Sequence, residues 1–178
     1  MSPSRSAEPR WLDDHEQAAW RAYLDMQGRL MTQLTRDMQE QGGLSLPDFT
    51  VLVQLSEHPG GRMRILELAR ALQWEKSRLS HQLTRMERRG LLERSGCGTD
   101  RRGAFIVLTA EGRTAVERAA PAHVESVRRY LFDGLSPELV DSWAAVSRHV
   151  VDRLREITEF VPDCAENMAA QAPEGSCG

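Results

Sequence analysis

The chain has 178 residues, 40% of them hydrophobic and 28% charged, with a formal net charge of −3, which is the make-up of one globular domain rather than two. That apolar content suffices for a core, and it excludes both a wholly disordered chain and a disulfide-dependent miniprotein. No apolar run approaches the roughly 18–20 residues that cross a bilayer, and the first ten residues lack the apolar stretch of a secretory signal, so the expectation is a cytoplasmic protein with no membrane partner.

Residues 1–10 and 162–178 are rich in Pro, Ser, Gly and Ala without periodicity and read as disordered tails. From Leu12 to about Gln41, Trp20, Tyr23, Leu24, Leu30, Leu34 and Met38 recur at spacings that place them on one helix face, and Gly42-Gly43 ends that helix. Ser45 with Asp48 three residues on caps a second helix through Phe49, Leu52, Val53 and Leu55, which His58-Pro59-Gly60-Gly61 stops.

Two short helices follow. The first runs from Ile65 to Leu72, and after a break at Gln73-Trp74 the second runs from Glu75 to Arg89, with Leu79, Leu83 and Met86 as its buried stripe. Such a pair is a helix-turn-helix candidate. Leu91–Arg94 and Ala104–Leu108 read as the strands of a hairpin with a charged tip at 95–103. Thr109 caps a helix to about Phe132, with a bend expected at Pro121. Ser136-Pro137 opens the last helix, whose apolar face runs from Leu139 through Trp143, Val150 and Ile157 to about Phe160.

The cysteines, Cys97, Cys164 and Cys177, are odd in number and form no metal-ligand spacing with the five scattered histidines. Neither a disulfide framework, a metal nor a cofactor is implied. Charge is informative in its distribution: residues 62–113 hold twelve basic and six acidic side chains, +6, and the rest of the chain carries −9. Lys76 is the only lysine against 22 arginines. Arginine's planar fork suits phosphate and guanine edges, although a coding bias gives the same count.

A helical wheel turns Ser77, His81, Thr84 and Arg88 away from the Leu79-Leu83-Met86 stripe, with Arg78 and Arg85 beside them. This face carries donors for base edges and phosphates, as a recognition helix does, and equally fits a solvated face. Arg101 and Arg102 at the hairpin tip suit a narrow minor groove, and Asp100 can orient a guanidinium.

The segments Leu44–Phe49, Glu75–Ser80, Leu83–Arg94, Asp100–Gly103 and Leu108–Gly112, in this order and spacing, resemble the MarR family of transcriptional regulators. The resemblance covers about residues 12–160. It implies a mostly α fold with a small β-hairpin wing, in which a winged helix-turn-helix lobe (44–112) lies between an N-terminal dimerisation helix (11–43) and C-terminal dimerisation helices (113–161). It further implies a homodimer acting on double-stranded DNA at a pseudo-palindromic operator, in the manner of a ligand-released repressor. Lys76, Ser77, Arg78, His81, Gln82 and Arg85 then fall on the major-groove helix, with Gln82 on its flank. Asp100, Arg101 and Arg102 fall on the wing.

Members of the family bind small aromatic or anionic effectors between the dimerisation helices and the DNA-binding lobe. Trp20, Tyr23 and Met26 are candidates for lining such a crevice, with plain core as the competing reading. Cys97, among arginines in its turn, is a candidate oxidant-sensing thiol, although residues 1–96 hold no cysteine and so lack the N-terminal arrangement of the family's oxidant sensors. An enzyme finds no support, because no phosphate loop, metal pair or nucleophile elbow occurs. A winged lobe that binds an acidic protein instead of DNA is the remaining alternative.

Overall fold

The computed structural model describes residues 9–96 and 105–158. Helix α1 spans Asp14–Asp37, and its start is fixed by a reciprocal cap in which the Glu16 N–H donates to Asp13 and the Asp13 N–H donates to Glu16. The helix widens into one π turn, Met38–Gly42, before Gly43 reverses the chain at φ +64°. The reversal falls where the Gly42-Gly43 pair predicts it, because glycine enters the left-handed region without a Cβ clash.

Helix α2 (Leu46–Glu57) starts on the predicted Ser45–Asp48 capping box. Helix α3 spans Ile65–Leu72 and α4 spans Lys76–Arg88. Between them Gln73 takes a left-handed conformation, φ +53°, and the Trp74 N–H donates back to the Ala69 carbonyl at 3.0 Å. Their tight junction is therefore a hydrogen-bonded C-cap.

The sheet corrects the sequence reading in one respect. In place of a two-stranded hairpin it has three antiparallel strands in the order β1-β3-β2, with β1 at Arg62–Arg64, β2 at Leu92–Ser95 and β3 at Phe105–Leu108. Strand β1 pairs Met63 with Ile106, and both side chains are buried. Three residues of Arg-Met-Arg carry too little β-branched signal to be read as a strand.

One core holds this lobe together. Leu52 and Leu55 of α2, Leu68 of α3, Leu79, Leu83 and Met86 of α4 and Ile106 of β3 are all fully buried. Burying each such side chain contributes about 2 kcal/mol relative to exposure. Helix α5 (Ala110–Val127), capped by Thr109, runs on through Pro121. Departure from α geometry falls later than the expected bend, in a π turn at Arg128–Phe132.

Asp37 near the end of α1 accepts a 2.7 Å hydrogen bond from the Ser126 hydroxyl of α5. That bond, helped by Tyr130 and by Arg129, holds the Asp37 carboxyl below its ordinary range. Among the described residues, those from Gly134 to Thr158 belong to a second compact unit. Within it α6 (Pro137–Thr158) exposes Leu139, Trp143, Val146, Val150, Leu154 and Ile157 at helical spacing.

Candidate nucleic-acid interface

Helix α4 separates its two faces as the wheel predicts. Leu79, Leu83 and Met86 have no exposed surface, whereas Lys76, Ser77, Arg78, His81, Arg85 and Arg88 are exposed and Thr84 is half-buried. With Pro47 of α2, the side chains of Arg78, His81, Thr84, Arg85 and Arg88 border an open hollow of about 630 Å³, and the largely buried Gln82 also lines it. Its rim is cationic, and the acids of this helix region, Glu75 and Glu87, lie toward its two ends. The Arg78 guanidinium stands 4.5 Å from the centre of the Trp74 ring, a cation–π contact that steadies a long side chain at the rim.

The largest departure from the sequence reading concerns Gln82. Grouped there with the DNA-contacting residues, it is only 4% exposed, and both ends of its amide are engaged inside the protein. Its Nε2 donates to Asp48 Oδ1 at 2.5 Å, and its Oε1 accepts from Arg85 Nη2. Asp48, 3% exposed, also pairs with Arg89 at 2.5 Å. The flank position on the wheel becomes a buried position because α2 packs there.

A second feature had no counterpart in the sequence reading. Arg62 and Arg64 of β1 place their guanidinium carbons 5.2 and 5.0 Å from the centre of the Phe105 ring, while Met63 between them points into the core. Phe105 opposes Ser95 in the β2–β3 pairing, so this cationic shoulder sits at the last pair of that register. The period-two alternation Arg-Met-Arg was the available signal. Asp100, Arg101 and Arg102, and likewise Cys97, lie outside the described residues.

Trp20 and Tyr23 stack with ring centres 5.5 Å apart, but they are 51% and 45% exposed. Within one chain they are therefore not core, and Met26 beside them is half-buried. Elsewhere His123 of α5 packs on the Phe49 ring of α2 at 4.8 Å, and desolvation lowers its pKa. Among the described residues no group of three His, Cys, Asp or Glu side chains is placed to hold a metal, and no helix is long and apolar enough to cross a membrane.

Two packed helices with a hydrogen-bonded turn, together with a three-stranded antiparallel sheet, define a winged helix-turn-helix protein. The sequence profile of the MarR family matches residues 44–103. The transcriptional regulator HosA of Escherichia coli O157:H7 is 30% identical over 117 residues, covering 66% of this chain and 84% of HosA. The match to HosA of Escherichia coli O127:H6 spans 62% of that protein's length, at 34% identity over 48% of this chain.

Among solved structures, AbsC, a MarR family transcriptional regulator from Streptomyces coelicolor, superposes with a TM-score of 0.76 at 45% identity, over 83% of this chain and 99% of AbsC. Sco3205, from the same organism and crystallised in complex with DNA, gives 0.76 at 39% identity, over 81% and 94%. The chain belongs to the MarR family of transcriptional regulators.

Proposed function

We propose that this protein is a homodimeric, sequence-specific DNA-binding regulator, in which α4 enters the major groove of each half of a pseudo-palindromic operator. The observation that carries the reading is the α4 face itself: Arg78, His81 and Arg85 border one cationic hollow on a helix whose opposite face is fully buried. An α-helix fits the major groove, and arginine and histidine supply the donors that base edges and phosphates accept. Lys76 and Ser77 open the same helix, and a serine at its start permits close approach to the DNA. Sco3205, 39% identical and crystallised in complex with DNA, supports the DNA-binding reading.

The finer parts of the reading follow from surfaces of different kinds. Exposed apolar side chains on α1, among them Trp20, Leu24 and Met31, and those of α6 are what a second copy would cover, since monomers rarely leave such stripes open. Asp100, Arg101 and Arg102 are assigned to a minor-groove wing. A small aromatic or anionic effector that releases the DNA, as from a repressor, completes the scheme, with the stacked rings of Trp20 and Tyr23 and the neighbouring Met26 as its contacts.

The test is selection of binding sites from random duplexes, followed by titration of the enriched site. An enriched sequence with two-fold symmetry and half-sites about one helical turn apart is expected. Recovery of no enriched, symmetric sequence contradicts the reading.

A further inference from the structure

Asp48 is the one buried carboxylate among the described residues. It stands in the first turn of α2, where the unpaired N–H groups of a helix favour an anion. Its Oδ2 accepts from the Ser45 N–H at 3.3 Å and from Arg89 Nη1 at 2.5 Å, and its Oδ1 accepts from Gln82 Nε2 at 2.5 Å. No buried side-chain polar atom among the described residues lacks a partner.

The chemistry of this arrangement is directional. A carboxylate paired with a guanidinium only accepts, so it holds a glutamine by the NH2 end alone. That choice turns the amide oxygen outward, where Arg85 Nη2 donates to it. Asp48 thereby fixes the orientation of Gln82, and Gln82 fixes one edge of the Arg85 guanidinium. The remaining N–H donors of Arg85, which is exposed at the hollow, have no protein partner among the described residues.

We propose that Asp48 and Gln82 are positioning residues for DNA recognition, a buried relay that aims Arg85 at its base or phosphate partner. Bidentate reading of a base edge needs the guanidinium plane held in one orientation, whereas neutralising a phosphate needs only the charge. An arginine held before binding also loses less side-chain entropy on binding. The relay therefore governs discrimination between sequences more than affinity for DNA at large. This inference rests on the DNA-binding reading above, and the experiment separates the two.

The full chain and four variants, Gln82→Met, Asp48→Asn, Arg85→Ala and Gln82→Met with Arg85→Ala, are titrated by fluorescence anisotropy. The probes are the selected site and an unrelated duplex, and thermal unfolding of each variant is followed in parallel. Methionine keeps the length of glutamine and deletes both ends of the relay, while asparagine can present either end to Gln82. Gln82→Met is expected to weaken the selected site about tenfold, to change the unrelated duplex by less than about twofold, and to cost nothing further once Arg85 is alanine. Asp48→Asn is expected to shift discrimination in the same direction.

Wild-type affinity of Gln82→Met for the selected site overturns the relay, as do losses that simply add in the double variant, and in either case the DNA-binding reading stands. If Gln82→Met does not fold, Asp48→Asn alone and combined with Arg85→Ala decides by the same criteria. Failure of the wild-type protein to select any site overturns the DNA-binding reading and the relay together.

Discussion

Gly112 lies so close to Leu91 that a methyl group on its Cα would sit 1.9 Å from the Leu91 carbonyl oxygen. The contact brings the first turn of α5 against the residue that leads into β2. Thr109 secures it from two sides, donating its hydroxyl to the Gly90 carbonyl at 2.7 Å and accepting from the Gly112 N–H at 3.0 Å. The start of α5 is thus tied to the residues that close α4.

Gly112→Ala is therefore expected to destabilise the protein by about 3 kcal/mol, because the obstacle, the Leu91 carbonyl, is backbone and yields little. Thermal unfolding should show a midpoint lowered by about 6–12 °C. An unchanged midpoint would mean that α5 and Leu91 are further apart than described.

Gln73 holds the helix-turn-helix junction at φ +53°, a conformation that costs a residue with a Cβ more than it costs glycine. Gln73→Gly should raise stability by about 0.5 kcal/mol, since the relief slightly exceeds glycine's greater loss of chain entropy. Chemical denaturation measures the difference, and DNA affinity should be unaltered.

His123 supplies a pH dependence. Burial against Phe49 lowers its pKa from the ordinary value of 6.5, so below that value the unfolded chain binds a proton that the folded chain resists. Stability is accordingly full above about pH 6.5 and declines as the pH falls below it. The thermal midpoint of the wild-type protein should drop between pH 7.5 and 5.5, and His123→Gln should flatten that drop.

The apolar stripe of α6 predicts association. Light scattering should give twice the 20.1 kDa chain mass, and replacing exposed Trp143 and Val150 with aspartate should return the mass of a single chain. Retention of the doubled mass by that variant would remove α6 from the interface.

Much of this architecture was legible in the sequence because it rests on local signals. The Ser45–Asp48 box, the Gly43 and Gly90 reversals and the Leu79-Leu83-Met86 stripe each fix a boundary or a face through contacts within a few residues. What escaped depends on residues far apart in the chain. Gln82 looked like a flank residue until α2, 34 positions earlier, brought Asp48 against it, and β1 exists only because Met63 meets Ile106 across the sheet. Trp20 and Tyr23 show the converse, since helical spacing marks an apolar face without saying whether the same chain or another covers it.

The central claim is that the exposed face of α4 binds DNA through its arginines. It is tested most directly by measuring affinity for the selected site across a series of salt concentrations, for the wild-type protein and for Arg78→Ala. The account predicts a steep linear loss of log affinity with log salt, with a slope about one unit shallower for the variant. Binding insensitive to salt, or a slope and affinity unchanged in the variant, would contradict it.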